Sequence, residues 1–223
     1  MSIQLLLDSA DPIIWKDWAS VGIFNGITTN PSLLKASNQP CTIKHLKELA
    51  LKAEAAGYKE LHLQAWGENP EEITACGYAL GRLTTKSLKV HIKIPITQTG
   101  CKAGKVLIKS NHSITFTACY ESSQVLVAAA LQATYIAPYL GRMNDQKKNG
   151  LDEVVSMQNM LKGVKSRCKV LVASIRSLNE LTHLATQGLS TFTISPKLAQ
   201  ELFNVPETLN AASDFQSDVI RSI

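Results

Sequence analysis

The stretch Lys89-Val90-His91-Ile92-Lys93-Ile94-Pro95-Ile96-Thr97 decides how the chain reads. Val90, Ile92, Ile94 and Ile96 recur at every second position, the period of a β-strand, and β-branched side chains suit a pleated, packed surface. Pro95 has no backbone donor, so the strand is predicted to stop near it. With the valine and isoleucines on one face, Lys89, His91 and Lys93 take the other. Lys93 then sits at the C-terminal end of a strand in apolar surroundings. A free lysine titrates at about 10.4 and is protonated at neutral pH. Desolvation disfavours the charged form, lowers the pKa and leaves a nucleophilic amine. A lysine snorkelling from a strand end is the plainer account of the same pattern.

On both sides of this stretch, strands alternate with helices. Strands are predicted over 3–7, 23–29, 60–65, 113–119, 133–139, 169–173 and 191–194. Asp11 and Pro12 open a helix carrying Trp15 and Trp18, three apart and so on one packed face. Further helices are expected over 42–57, 69–83, 98–110, 122–130, 152–166, 178–187 and 196–203. Asn30-Pro31-Ser32 reads as a turn, 141–150 as a polar loop and 206–223 as a C-terminal helical segment. Strand and helix repeating in this way, with no linker, is the pattern of a single α/β domain over 1–223, a closed (β/α)8 TIM barrel. An open doubly wound sheet is the second choice, but so many units in so few residues favour closure. Barrel chemistry sits at the C-terminal strand ends. Asp8, Asn30, Gln64, Lys93, Thr117, Tyr139 and Ser174 all fall at such ends, a recurrence that a snorkelling lysine does not explain.

Composition sets outer bounds. The chain has 223 residues, 45% of them hydrophobic, enough for a large core without staples. Its net charge of +5 is scattered; Lys147-Lys148 and the basic residues from Lys162 to Lys169 read as solvated helix faces, not a nucleic-acid stripe. The five cysteines are odd in number and lack CxxC spacing, which argues for free thiols in a reducing compartment and against a zinc site. Residues 3–7 run straight into Asp8, unlike a signal peptide, and no apolar run has the length of a membrane span. A cytoplasmic protein is expected. No GxGxxG or GxxxxGK loop occurs, so no nucleotide cofactor is indicated.

Four segments together carry a resemblance: Gly26-Ile27-Thr28-Thr29-Asn30-Pro31-Ser32, Ile92-Lys93-Ile94-Pro95, Ala137-Pro138-Tyr139-Leu140-Gly141-Arg142 and Ala173-Ser174-Ile175-Arg176. They resemble, in order and over nearly the whole chain, the signature stretches of the transaldolase family, whose small members include fructose-6-phosphate aldolases. The resemblance implies a class I aldolase that handles a dihydroxyacetone unit through a lysine imine, with no metal or cofactor. It implies Lys93 as the imine-forming lysine, Asp8 as acid/base, Asn30 and Thr28 as holders of substrate hydroxyls, and Thr117 as the hydroxyl placing a water. Arg142, Ser174 and Arg176 match the phosphate-binding group. It also implies a sugar-phosphate substrate and a homo-oligomer, a pentamer or decamer, with the last helix reaching over a neighbour.

Two positions separate the branches of the family. Gln64 stands where transaldolases carry glutamate, and Tyr139 where they carry phenylalanine; both match the aldolase branch. A phenol, with a water held by Gln64 and Thr117, is able to protonate a bound enamine and release dihydroxyacetone. An amide does not titrate, so Gln64 is no general base. Thr115 and Ala137 replace the asparagine and serine of transaldolases near the first carbon of the substrate. The expected reaction is therefore reversible cleavage of fructose 6-phosphate to dihydroxyacetone and glyceraldehyde 3-phosphate. The alternative is a pentose-phosphate transaldolase that passes the unit to erythrose 4-phosphate. More remote is a barrel that binds sugar phosphates without catalysis.

Periodicity adds one feature. His62 lies two before Gln64 and His91 two before Lys93, so both are predicted to face the barrel interior one layer below the lysine. They read as a polar pair that influences the charge of Lys93 or as hydrogen-bonded core histidines; two histidines without a third ligand make a poor zinc site. Cys119 is expected to face the same way as Thr117 and approach the site.

Overall fold

The computed structural model describes residues 2–221. The first half of the chain runs β1 (Gln4–Asp8), α1 (Pro12–Val21), β2 (Phe24–Thr28), α2 (Pro31–Ala36), α3 (Ile43–Ala55), β3 (Glu60–Gln64), α4 (Pro70–Gly81), β4 (Lys89–Pro95) and α5 (Gln98–Lys109). The second half runs β5 (Ser113–Cys119), α6 (Gln124–Ala130), β6 (Tyr135–Pro138), α7 (Leu140–Asp145), α8 (Gly150–Gly163), β7 (Lys169–Val170), α9 (Leu178–Thr186), β8 (Thr191–Ile194), α10 (Pro196–Glu201) and α11 (Pro206–Arg221). All strand pairs are parallel, in the order β7-β6-β5-β4-β3-β2-β1-β8. A bridge between Val172 and Phe192 joins the ends and closes the ring. This is the predicted (β/α)8 barrel with an added C-terminal helix; the final two residues of the predicted 206–223 segment lie outside the described residues.

Local chemistry sets the helix starts. Asp11, Asn30, Thr42, Asn69, Thr97, Ser177 and Ser195 each accept a backbone N–H from the first turn of the helix they precede. Pro12, Pro31, Pro70 and Pro196 occupy first positions, where no donor is lost. Alternation sorts the strands. Leu61, Leu63, Ile92, Ile94, Ile114, Phe116, Phe192 and Ile194 are buried in the main core between strands and helices. A separate cluster of Leu6, Tyr135, Ala137 and Leu171 forms the apolar part of the lumen. No helix among the described residues is long and apolar enough to cross a membrane.

Two segments read as irregular are helical. The expected turn at Asn30-Pro31-Ser32 is the start of α2, with Asn30 as its cap. The expected loop over 141–150 contains α7 and the start of α8. Glycine and asparagine give α7 poor local propensity; it is held from outside, by Leu140 N–H to Ala173 O (3.0 Å), Gly141 N–H to Ser174 O (2.9 Å) and burial of Leu140 and Met143. α8 ends at Gly163, so Lys165, Arg167 and Lys169 lie beyond it on the N-terminal side of the barrel and are not a helix face.

Candidate active site

Lys93 projects from β4 into the lumen and is 5% exposed. Its Nζ donates to the Thr29 carbonyl at 2.7 Å. Burial lowers its pKa, and the nearby Asp8 opposes that shift. Asp8, at the end of β1, is the mirror case: burial raises its pKa, while Lys93, a hydrogen bond from Thr28 and Arg142 pull it down. Thr28 Oγ1 donates to Asp8 Oδ1 at 2.7 Å and lies 2.5 Å from Thr193 Oγ1. Since the one Thr28 proton goes to Asp8, Thr193 donates to Thr28, and the two hydroxyls brace the carboxylate. Thr193 is a site residue the sequence reading missed; its only signal is an inward position near the end of β8.

These groups line a cleft of about 160 Å³ at the C-terminal end of the barrel, together with Asn30, Ala137, Tyr139, Arg142 and Ser174. Asn30 uses Oδ1 to cap α2, accepting from Leu33 N–H at 2.9 Å, which leaves its Nδ2 donor for a ligand oxygen. Thr117 Oγ1 donates to the Tyr139 hydroxyl at 3.0 Å. The Arg142 guanidinium lies 4.7 Å above the Tyr139 ring, and Tyr120 packs edge-on against it. Next to Thr117, Ala118 takes a left-handed conformation (φ 54°), and the β5–β6 register slips there. The slip turns Cys119 away from the cleft, contrary to expectation: it is buried in the main core, its Sγ faces Glu121 O at 3.6 Å, and burial pushes the thiol up to about 12.

Four predicted residues stand off the cleft lining. Gln64 is half-buried opposite Lys93 in the β3–β4 ladder. Thr117 lies behind Tyr139. Thr115 points down, 3.0 Å from His62 Nδ1. Arg176 is engaged in a two-pronged pair with Asp145 (2.6 and 2.5 Å) at the surface, while Ser174, also left-handed (φ 60°), stays on the rim with Arg142.

Below the lysine, His62 and His91 face the lumen as predicted, stacked with ring centroids 4.4 Å apart. Glu60, the next inward residue down β3, puts Oε2 3.5 Å from Nε2 of each. The sequence reading missed it, although the two-residue period that placed His62 also places Glu60.

Comparisons with known proteins bear on this arrangement. A family model described as Transaldolase/Fructose-6-phosphate aldolase matches residues 5–222. A "Probable transaldolase" of Phenylobacterium zucineum is 30% identical, covering 97% of this chain and 96% of that protein. One of Brucella melitensis is 27% identical over 97% of this chain and 96% of its own length. Among solved structures, a putative phosphonomutase from Burkholderia cenocepacia superposes with a TM-score of 0.60 at 14% identity, covering 95% of this chain and 93% of that one, a likeness of fold alone.

Proposed function

The chain belongs to the transaldolase/fructose-6-phosphate aldolase family, and on that premise we propose that Lys93 forms an imine with a ketose phosphate and that the enzyme transfers the resulting dihydroxyacetone unit to an aldose phosphate. The observation that carries this reading is a buried lysine, its pKa lowered, at the C-terminal end of β4 within the electrostatic reach of Asp8. The amine attacks the ketose carbonyl and water leaves. The imine then serves as the electron sink. Asp8 takes the proton of the fourth-carbon hydroxyl, the bond between the third and fourth carbons breaks, and an aldehyde departs. The bound enamine adds to an acceptor aldehyde, Asp8 returns the proton, and hydrolysis frees Lys93. Asn30 and Thr28 hold hydroxyls; Arg142 and Ser174 take the phosphate, and Arg176 joins them when it releases Asp145.

Transfer leads because the curated relatives carry the name transaldolase, which reverses the order of preference drawn from Gln64 and Tyr139. Cleavage to free dihydroxyacetone stays as a second reading on one observation. The Tyr139 hydroxyl sits within hydrogen-bond reach of Thr117, as a proton donor to the enamine would. Borohydride with fructose 6-phosphate is expected to add the mass of a reduced dihydroxyacetone adduct at Lys93, and Lys93→Met to abolish both adduct and turnover. An adduct elsewhere, or turnover without Lys93, sinks the imine reading. Product analysis with and without erythrose 4-phosphate separates transfer from release. The expected homo-oligomer also belongs here: α11 buries no residue against its own barrel.

A further inference from the structure

We propose that Glu60, His62 and His91 form a binding site for one divalent first-row transition ion, zinc being the best match, on the floor of the barrel beneath Lys93. His62 and His91 are 0% and 1% exposed, and the Nε2 atom of each is buried without a hydrogen-bond partner. An orphaned polar atom in a dry interior is costly, so a pair of them, each 3.5 Å from the same carboxylate oxygen, asks for an occupant. Glu60 does not supply the missing bonds. Its Oε2 is 3.5 Å from each Nε2, beyond the ordinary hydrogen-bond range of about 2.7–3.2 Å. It does match ligands sharing an ion: bonds of about 2.0–2.2 Å at tetrahedral angles put neighbouring donor atoms about 3.3–3.5 Å apart. The three donor atoms lie within 4.8 Å of one another; the rings stack nearly parallel, so sharing one ion requires them to splay from that stack until both Nε2 atoms converge.

The surroundings are those of a supported metal site. His62 Nδ1 faces Thr115 Oγ1 at 3.0 Å, and His91 Nδ1 faces Ser113 Oγ at 2.8 Å. A hydroxyl accepts from Nδ1–H as readily as it donates to Nδ1, so each ring can take the tautomer that frees its Nε2 lone pair for an ion. Glu60 is itself held, accepting from Gln4 Nε2 at 2.9 Å and from the Tyr135 hydroxyl at 3.1 Å. Gln4, which donates to Glu60, also lines a depression of about 680 Å³ at the N-terminal end of the barrel, the side from which an ion would approach. Lys162, Lys165, Arg167 and Lys169 line the same mouth and oppose a cation there, against the single Glu60 carboxylate below it.

Chelator-stripped full-length protein is titrated with Co²⁺, followed by visible absorption, and Zn²⁺ is then used to displace it. The expected result is one Co²⁺ per chain, with the intense d–d bands of a four- or five-coordinate ion, lost on adding zinc. Glu60→Gln and His62→Gln are expected to weaken binding at least 100-fold, and Tyr135→Phe, which spares the ligands, about 10-fold. His45→Gln controls for the exposed His45–Glu48 pair and is expected to change nothing. No Co²⁺ bound by the wild-type protein, or affinity unchanged in both ligand variants, overturns the proposal. If a ligand variant does not fold, the wild-type stoichiometry and spectrum decide alone. None of these readouts depends on the chemistry at Lys93.

Discussion

Asp8 and Lys93 each pay the desolvation penalty of a buried ionisable group, and each is the main charge offsetting it for the other. Both must lose a proton before cleavage, so kcat/KM is expected to rise with pH through their pKa values. Asp8→Asn separates their parts. Without the carboxylate the main charge holding the lysine pKa up is gone, so borohydride trapping is expected to persist and its acid limb to move to lower pH. Turnover is expected to fall about 10²–10⁴-fold, the usual worth of a positioned acid/base. A limb that stays put denies the coupling. Tyr139→Phe is expected to cut release of free dihydroxyacetone about 10-fold or more while sparing transfer to erythrose 4-phosphate, read by product ratio; an unchanged ratio removes the phenol from enamine protonation. Lys93 and Asp8 were legible in the sequence because strand alternation and strand ends place a side chain by themselves. Cys119 was not, because a single left-handed residue, Ala118, breaks that alternation. Thr193 was not, because an inward threonine carries no mark until its partner Thr28 is seen beside it.

At the scale of elements, the strands were legible and the two short helices α2 and α7 were not. Strand period is a local property, whereas α7 exists through bonds to the β7 loop that a sequence does not display. That dependence has a functional reading, since α7 carries Arg142 to the rim. Gly141 makes the contact possible. A Cβ there would lie 2.5 Å from the Ser174 carbonyl and 2.6 Å from Arg176 Nε, and the carbonyl cannot swing aside as a side chain can. Gly141→Ala is therefore expected to push α7 off the β7 loop, at an overpacking cost of about 1–3 kcal/mol in urea unfolding. KM for the phosphorylated donor is expected to rise about 10-fold, with a smaller change in the yield of the Lys93 adduct from dihydroxyacetone itself. Equal loss with both ligands would mean that the rim does not act through the phosphate.

For the whole molecule, the barrel and its last helix differ in kind. The strand ring closes on itself through Val172 and Phe192, and its core is filled without α11, which buries no residue. Yet α11 holds Leu209, Phe215 and Ile220 more than half exposed, forgoing the larger part of what full burial of each such side chain gains, about 1.5–3 kcal/mol. A helix apolar on one side, with none of its residues fully buried, is expected to be covered by another copy of the chain. Removing residues 206–223 distinguishes this from a helix that props up its own barrel. The shortened chain is expected to keep its imine-forming lysine and most of its monomer stability, and to lose oligomer mass in sedimentation. Phe215→Asp, which leaves the helix in place, is expected to give the same shift, because a charge in a closed apolar contact has no partner. If the wild-type protein already sediments as a single chain, α11 has no such partner. If the truncation unfolds the barrel instead, the helix belongs to its own fold after all.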